Sequence, residues 1–256
     1  MSYLNSATTR NGASSGPATG GRMQLDENQL KNTFAKLNSN TSNGKTAKRL
    51  VRNKDAIHDL LDTLDRSPRF TKMIEYTVGC FQKMAVDEVC VEELIEEGVL
   101  EALMKIQKLN PYNEPVNRAI NECIAAFCLN DHCARLVAER IGGGNMIFSL
   151  KKHVEPETVS ASCHAMARMM RVDTSVDMFV TEGAIDALNH VAMQMFNEPE
   201  VMASVAECLK CIARTPAYIP AILNTMLLQN LLTSLKENPG NANLVEQSLQ
   251  FLASIA

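Results

Sequence analysis

Residues 163–170, CHAMARMM, set a small side chain, Cys163, at the head of an apolar face completed by Met166, Ala167 and Met170. That i, i+3, i+4, i+7 spacing is one side of an α-helix. The same face recurs four more times along the chain. Thr77 leads Cys80, Phe81 and Met84; Cys123 leads Ala126, Phe127 and Asn130; Cys208 leads Cys211, Ile212 and Thr215; Ser248 leads Phe251, Leu252 and Ile255. Successive heads stand 46, 40, 45 and 40 residues apart. A period of that size is the mark of a solenoid built from two- or three-helix units of about 40–47 residues.

A second marker keeps the same time. Gly98 and Gly183 lie 85 residues apart, two periods; each follows a short acidic and apolar helix and precedes Val99-Leu100 or Ala184-Ile185. Gly142 to Gly144 fall at the intermediate period. The unit is therefore a short helix, a Gly turn, a second helix, a break containing Pro or Asn, and a longer third helix. Composition agrees. Of 256 residues, 46% are hydrophobic and 21% charged, enough to bury a core. Met, Leu and Ala carry the apolar content and Trp is absent, so helix formers dominate over strand formers.

Glu96-Glu97-Gly98-Val99-Leu100 and Thr181-Glu182-Gly183-Ala184-Ile185 resemble the Glu-x-Gly-[Ala/Val]-[Ile/Leu] turn of the armadillo repeat. Asn113-Glu114-Pro115, Glu155-Pro156 and Glu198-Pro199 resemble the start of its third helix, where Pro suits the first turn. The resemblance spans about residues 50–256, four full repeats behind a partial first one. It implies an all-α fold: a right-handed α-solenoid of about four to five armadillo-like three-helix repeats with a flexible N-terminal tail. The last repeat departs from the pattern, with Met226 near the place of the turn glycine and Pro220 inside the first helix, and is expected to be distorted. Phe251, Leu252 and Ile255 have no following repeat, so the C-terminal end is expected to be covered by a partner unless the sequence is cut there.

The domain division expected is a flexible basic tail over 1–45 and the repeat domain over 46–256. Residues 1–22 are Ser, Thr, Asn, Gly and Ala with little to bury. Leu25, Leu30, Phe34 and Leu37 form an amphipathic run that predicts a short helix near 25–37, docked on something. The net charge of −4 hides a division. Residues 1–54 hold nine Lys or Arg against Asp26 and Glu27, which makes that stretch +7 and the remainder −11. Lys45, Lys48, Arg49, Arg52 and Lys54 concentrate the excess, and an arm for an anionic partner is expected there. The first thirty residues carry no signal-like apolar run and no stretch reaches 18 apolar residues, so a soluble, intracellular protein without membrane insertion is expected.

Eight cysteines in such a chain are expected to stay reduced. Cys208-x-x-Cys211 sits in the apolar register of a third helix and reads as core, not as a redox or zinc pair. Cys128, His132 and Cys133 flank the Asn130-Asp131 turn and lack a fourth ligand. Cys163 and His164 are adjacent in a helix and so do not face each other. Gly142-Gly143-Gly144 lacks the Lys-Ser/Thr of a phosphate loop. The Met-rich stretch (Met146, Met166, Met169, Met170, Met193, Met195, Met202) reads mainly as core filling. No catalytic residue, cofactor or metal is expected, and the protein is not expected to be an enzyme.

The armadillo resemblance implies a groove along the third helices that holds an extended or helical segment of another protein. The import-receptor branch of that family displays Trp and then Asn four residues on; the matching slots here are Gly79 and Lys83, Ala125 and Leu129, Ala165 and Met169, Lys210 and Arg214, Gln250 and Ser254, so that function is not expected. Groove candidates are Lys83, Arg118, Leu129, Arg168, Met169, Arg171, Lys210 and Arg214. A segment with acidic and Leu residues suits them. The function expected is a non-catalytic protein–protein interaction scaffold, a structural component of a cytoskeletal or ciliary assembly in the cytoplasm, with the arm against a microtubule or another acidic surface. The alternative is a nuclear or nucleic-acid-associated adaptor using the same basic segment.

Overall fold

The structure is a computed structural model and describes residues 26–38 and 43–256. Among the described residues the chain forms sixteen α-helices, one 3-10 turn and no strand. They resolve into five three-helix repeats. The first is α2 (Asn43–Arg52), α3 (Lys54–Arg66) and α4 (Thr71–Met84); the second α5 (Glu88–Glu96), α6 (Val99–Leu109) and α7 (Glu114–Phe127). The third is α8 (Asp131–Ile141), α9 (Gly144–Lys152) and α10 (Pro156–Met169); the fourth α11 (Asp173–Thr181), α12 (Ala184–Met195) and α13 (Pro199–Ala213). In the fifth, the first helix is reduced to a 3-10 turn, Pro216–Tyr218, and the five residues of α14 (Ile219–Leu223), followed by α15 (Leu227–Glu237) and α16 (Ala242–Ile255). The distortion expected at Pro220 is that broken helix, and Met226 takes the turn with φ −83° where repeats two, three and four use glycine.

The turn glycines do what their positions predict. Gly98 and Gly183 adopt φ of 83° and 97°, left-handed conformations open to glycine at no steric cost. Gly142 has φ 66°, and a Cβ on neighbouring Gly143 would lie 2.6 Å from Phe179 Cδ1, so the triple-glycine turn is a packing device. Pro115, Pro156 and Pro199 open α7, α10 and α13. Side-chain caps mark α7 as well and three further helix starts: Asn113 accepts from the Val116 N–H, Asp87 from Cys90, Asn130 from Cys133 and Asn241 from Leu244.

The third helices stack in one continuous row, α4 on α7 on α10 on α13 on α16, which carries the small head residues found in the sequence. Thr77, Cys123, Cys163, Cys208 and Ser248 are all buried. The row begins one helix earlier than the repeats do. α1 (Glu27–Asn38) packs on α4 in the place a preceding third helix would take, with Leu30 buried and Phe34 laid over Gly79. A Cβ on Gly79 would lie 2.7 Å from Phe34 Cε2, so this glycine is a seat for the ring and not a groove slot. Phe34 also meets Tyr76 at 6.2 Å between centroids.

The expected boundary between residues 45 and 46 falls inside α2, and repeat one is complete, not partial. Ala47 and Val51 of α2 are buried in the core, and two of the five expected arm cations are tied to the next repeat: Lys48 to Asp87 at 2.6 Å and Lys54 to Glu97. The tail expected over residues 1–22 lies outside the described residues. Lys48 and the Cys90 amide hold the Asp87 carboxyl down to about 2. Its contribution to stability is therefore present above the ordinary carboxylate range and is lost as pH falls through about 2. Asp87→Ala is expected to cost about 1 kcal/mol at neutral pH, the worth of an N-cap, while Asp87→Asn, which caps equally well, keeps most of it. Urea denaturation of the two variants side by side checks this.

Candidate functional site

The candidate site is the open face of the third-helix row. Of the six cations expected there, Arg168, Arg171, Lys210 and Arg214 are engaged within the solenoid itself. Arg171 donates to the Leu129 carbonyl at 3.4 Å and faces Asp131 at 3.5 Å. Arg214 makes the equivalent reach one repeat later, to the carbonyls of Met170 (2.6 Å) and Arg171 (3.0 Å) and to Asp173 (3.3 Å). Each guanidinium thus ties down the C-terminal end of the preceding third helix. Lys210 is held by Gln247 at 2.9 Å and Gln250 at 2.8 Å of α16. Only Lys83 and Arg118 form no hydrogen bond or ion pair among the described residues. Met169, expected in the groove, is fully buried, because that side of α10 meets the core; Leu129 is 36% exposed.

Arg168 belongs to a chain of side chains that crosses from α10 to α13. Its Nε–H donates to His164 Nε2 at 3.0 Å, and His164 Nδ1 lies 3.1 Å from Glu207 Oε2. Guanidinium nitrogens only donate, so Nε2 must accept. Nδ1–H is then the donor to Glu207. Burial pushes the Glu207 carboxyl up, but the hydrogen bond from His164 and the positive charges of Lys210 and Arg168 outweigh it and leave it below its ordinary value.

Beside this chain opens a cavity of about 620 Å³, which the sequence reading did not anticipate. Its walls are the first turns of α10 and α13 (Pro156, Glu157, Pro199, Glu200, Val201), the preceding Glu198, Glu122 of α7, and Ser160, Ala161, His164, Ser204 and Asn243. Four carboxylates line it and no Lys or Arg does. Glu157, Glu198 and Glu200 sit at helix N-termini, where the macrodipole favours them. Glu122 does not: it is exposed in the middle of α7 and gains nothing from a helix end. Glu200 accepts from Asn241 at 2.9 Å; Glu122, Glu157 and Glu198 form no side-chain hydrogen bond or ion pair among the described residues. Apolar Pro156, Pro199, Ala161 and Val201 complete the lining, so a long aliphatic stem ending in a positive charge matches both parts of the surface.

The chemistry-bearing motifs dissolve into packing. All eight cysteines are buried thiols. Cys208 donates to the Cys163 carbonyl at 3.1 Å and Cys211 to that of Ala167 at 3.6 Å. Burial pushes the thiols of Cys80 and Cys128 up to about 12 and that of Cys208 well up, which keeps them protonated and unreactive. His132 and Glu88 are exposed and Glu92 is half-buried, with His132 2.9 Å from Glu92, while Cys128 and Cys133 are buried in the core. Of the Met-rich stretch only Met193 is exposed.

No protein-family model and no curated protein sequence matches the chain. Solved structures do. A computationally designed armadillo repeat protein for modular peptide recognition superposes with a TM-score of 0.72 at 19% identity, covering 90% of this chain and 95% of the other. A designed armadillo repeat protein in complex with a (KR)4 peptide gives 0.67 at 17% identity over 89% of this chain and the whole of the other. A further designed armadillo repeat protein gives 0.66 at 18% identity. The chain has an armadillo-like repeat fold.

Proposed function

We propose that the protein is a non-catalytic scaffold that grips an extended segment of another protein along its third helices, and that the segment carries a Lys or Arg side chain into the cavity between α7, α10 and α13. The observation that carries this is the cavity's unmatched charge: four carboxylates, three of them unbonded, and no cation. The (KR)4 peptide held by a designed neighbour of the same fold supports it. A segment rich in acidic residues suits this part of the groove poorly, since Arg171, Lys210 and Arg214 are already engaged. Unengaged Lys83 and Arg118, with Leu129, would meet an acidic or apolar stretch of the same segment toward the N-terminal repeats. Fluorescence anisotropy with a labelled Lys-Arg octapeptide and its Asp-Glu counterpart tests the reading. Binding of the basic peptide only, weakened about tenfold or more in Glu122→Gln/Glu157→Gln, is the expected result. Equal binding of both peptides, or none, sinks it.

A second reading concerns α2. Lys45, Arg49 and Arg52 are exposed at i, i+4, i+7 spacing, and none forms an ion pair among the described residues. A basic strip of this kind suits an acidic polymer such as a microtubule, the basis for a cytoskeletal or ciliary role in the cytoplasm; no aromatic side chain interleaves it, which argues against stacking on single-stranded nucleic acid. Salt-sensitive co-sedimentation with microtubules that Arg49→Glu/Arg52→Glu abolishes is expected, and co-sedimentation unchanged by that variant removes the reading.

A further inference from the structure

We propose that His164 makes the grip on a basic segment depend on pH, weakening it when the imidazole gains a proton. This rests on the peptide reading above. The ring lines the acidic cavity, and both of its nitrogens are committed: Nε2 accepts from Arg168 and Nδ1–H donates to Glu207. A second proton can go only on Nε2. That nitrogen then becomes a donor aimed at another donor, and two cations stand about 3 Å apart where one stood before. The Arg168 contact cannot survive the change, and the cavity wall acquires a positive charge that competes with the incoming Lys or Arg.

The surrounding charges are few enough to name. On α10 itself they are Arg168 and Glu157; α13 brings Glu200, Glu207 and Lys210, with Glu198 just before it; α7 brings Glu122. Lys210 is held toward Gln247 and Gln250 of α16 and leaves Glu207 as the partner of the ring. α9 packs on the far side of α10: Ser162, which bonds Ser149 of α9, is two residues before His164 and so about 200° round the helix. The carboxylates attract the proton to the ring as they attract the peptide's cation, so the two compete for one field. Imidazole is the side chain that changes charge between about pH 5 and 8, above the ordinary glutamate range.

The experiment is anisotropy of a labelled Lys-Arg octapeptide with the full chain at about pH 7.5, 6.5 and 5.5 and low salt, for the wild type and for His164→Gln. Gln can accept from Arg168 and donate to Glu207 but takes no proton. Wild-type affinity is expected to fall about three- to tenfold across the range, as one added charge near the cavity warrants at low ionic strength. Whatever its affinity at the top of the range, His164→Gln is expected to keep that same affinity at about pH 6.5 and 5.5, since the amide takes no proton. Equal pH slopes in both proteins overturn the role of His164 while leaving peptide binding intact. No binding by either protein at any pH overturns the peptide reading and this inference with it.

Discussion

Asn121→Ala is expected to lower the free energy of unfolding by about 3 kcal/mol, through buried hydrogen-bond partners left unmatched. Asn121 is wholly buried at the joint of repeats two and three. Its Oδ1 accepts from Gln107 Nε2 at 3.3 Å, and its Nδ2 donates to Ser162 Oγ at 2.7 Å and reaches Ser149 Oγ at 3.5 Å. Ser149 and Ser162 share a further bond at 2.9 Å, and Ser162 also donates to the Thr158 carbonyl. Removing the amide strips Gln107 of its only side-chain partner, since its Oε1 already has none. Repeat five supplies the control. Ser234 and Ser248, one each on α15 and α16, are a similar buried pair of hydroxyls, but neither Oγ has a partner there. Ser248→Ala should therefore be neutral or slightly stabilising. Urea unfolding of both variants decides it: comparable losses at the two sites would mean that the polar joint is not what holds repeats two and three.

Replacing Leu30 and Phe34 together by Ala is expected to undock α1 at a cost of about 4 kcal/mol, by loss of buried apolar volume. In a solenoid, stability is close to a sum of repeat and nearest-neighbour contributions, so damage at one end stays near that end. Hydrogen exchange should then quicken in α1 and in the half of α4 that carries Tyr76 and Gly79, while α10 and α13 keep their protection. Equal quickening throughout would show that α1 is not an end cap but part of one cooperative unit.

The repeat was legible in the sequence because its signal is local. A small head residue and its followers fit inside one helix, and the turn glycines of repeats two, three and four hold a positive φ that glycine alone adopts freely. The first repeat is harder to see, for the opposite reason: five cations between Lys45 and Lys54 dominate the stretch, although Ala47, Leu50 and Val51 carry the same i, i+3, i+4 spacing as any other core face. The docking of Phe34 on Gly79 had a signal too, an aromatic in an amphipathic run and a glycine in a helix interior, but nothing in sequence joins them.

The groove was legible as a place and not as a chemistry. Arg171 and Arg214, expected from the sequence to face the groove, find their acceptors a full repeat away, 42 to 44 residues back along the chain, where no local window looks. The acidic cavity is assembled from α7, α10 and α13 at different heights on each helix. Glu122 stands one residue before its repeat's head, Glu157 six before and Glu200 eight before. No shared register marks them as a set, and only the superhelical stacking brings them to one wall.

The arginines at the repeat joints also impose a direction. Arg171 and Arg214 each reach back to the helix end that precedes them in the chain, never forward to one yet to come. On a ribosome, which releases the chain from its N-terminus, every such acceptor is already in place when its arginine emerges. Each of these two bonds therefore needs no residue beyond its own arginine to form.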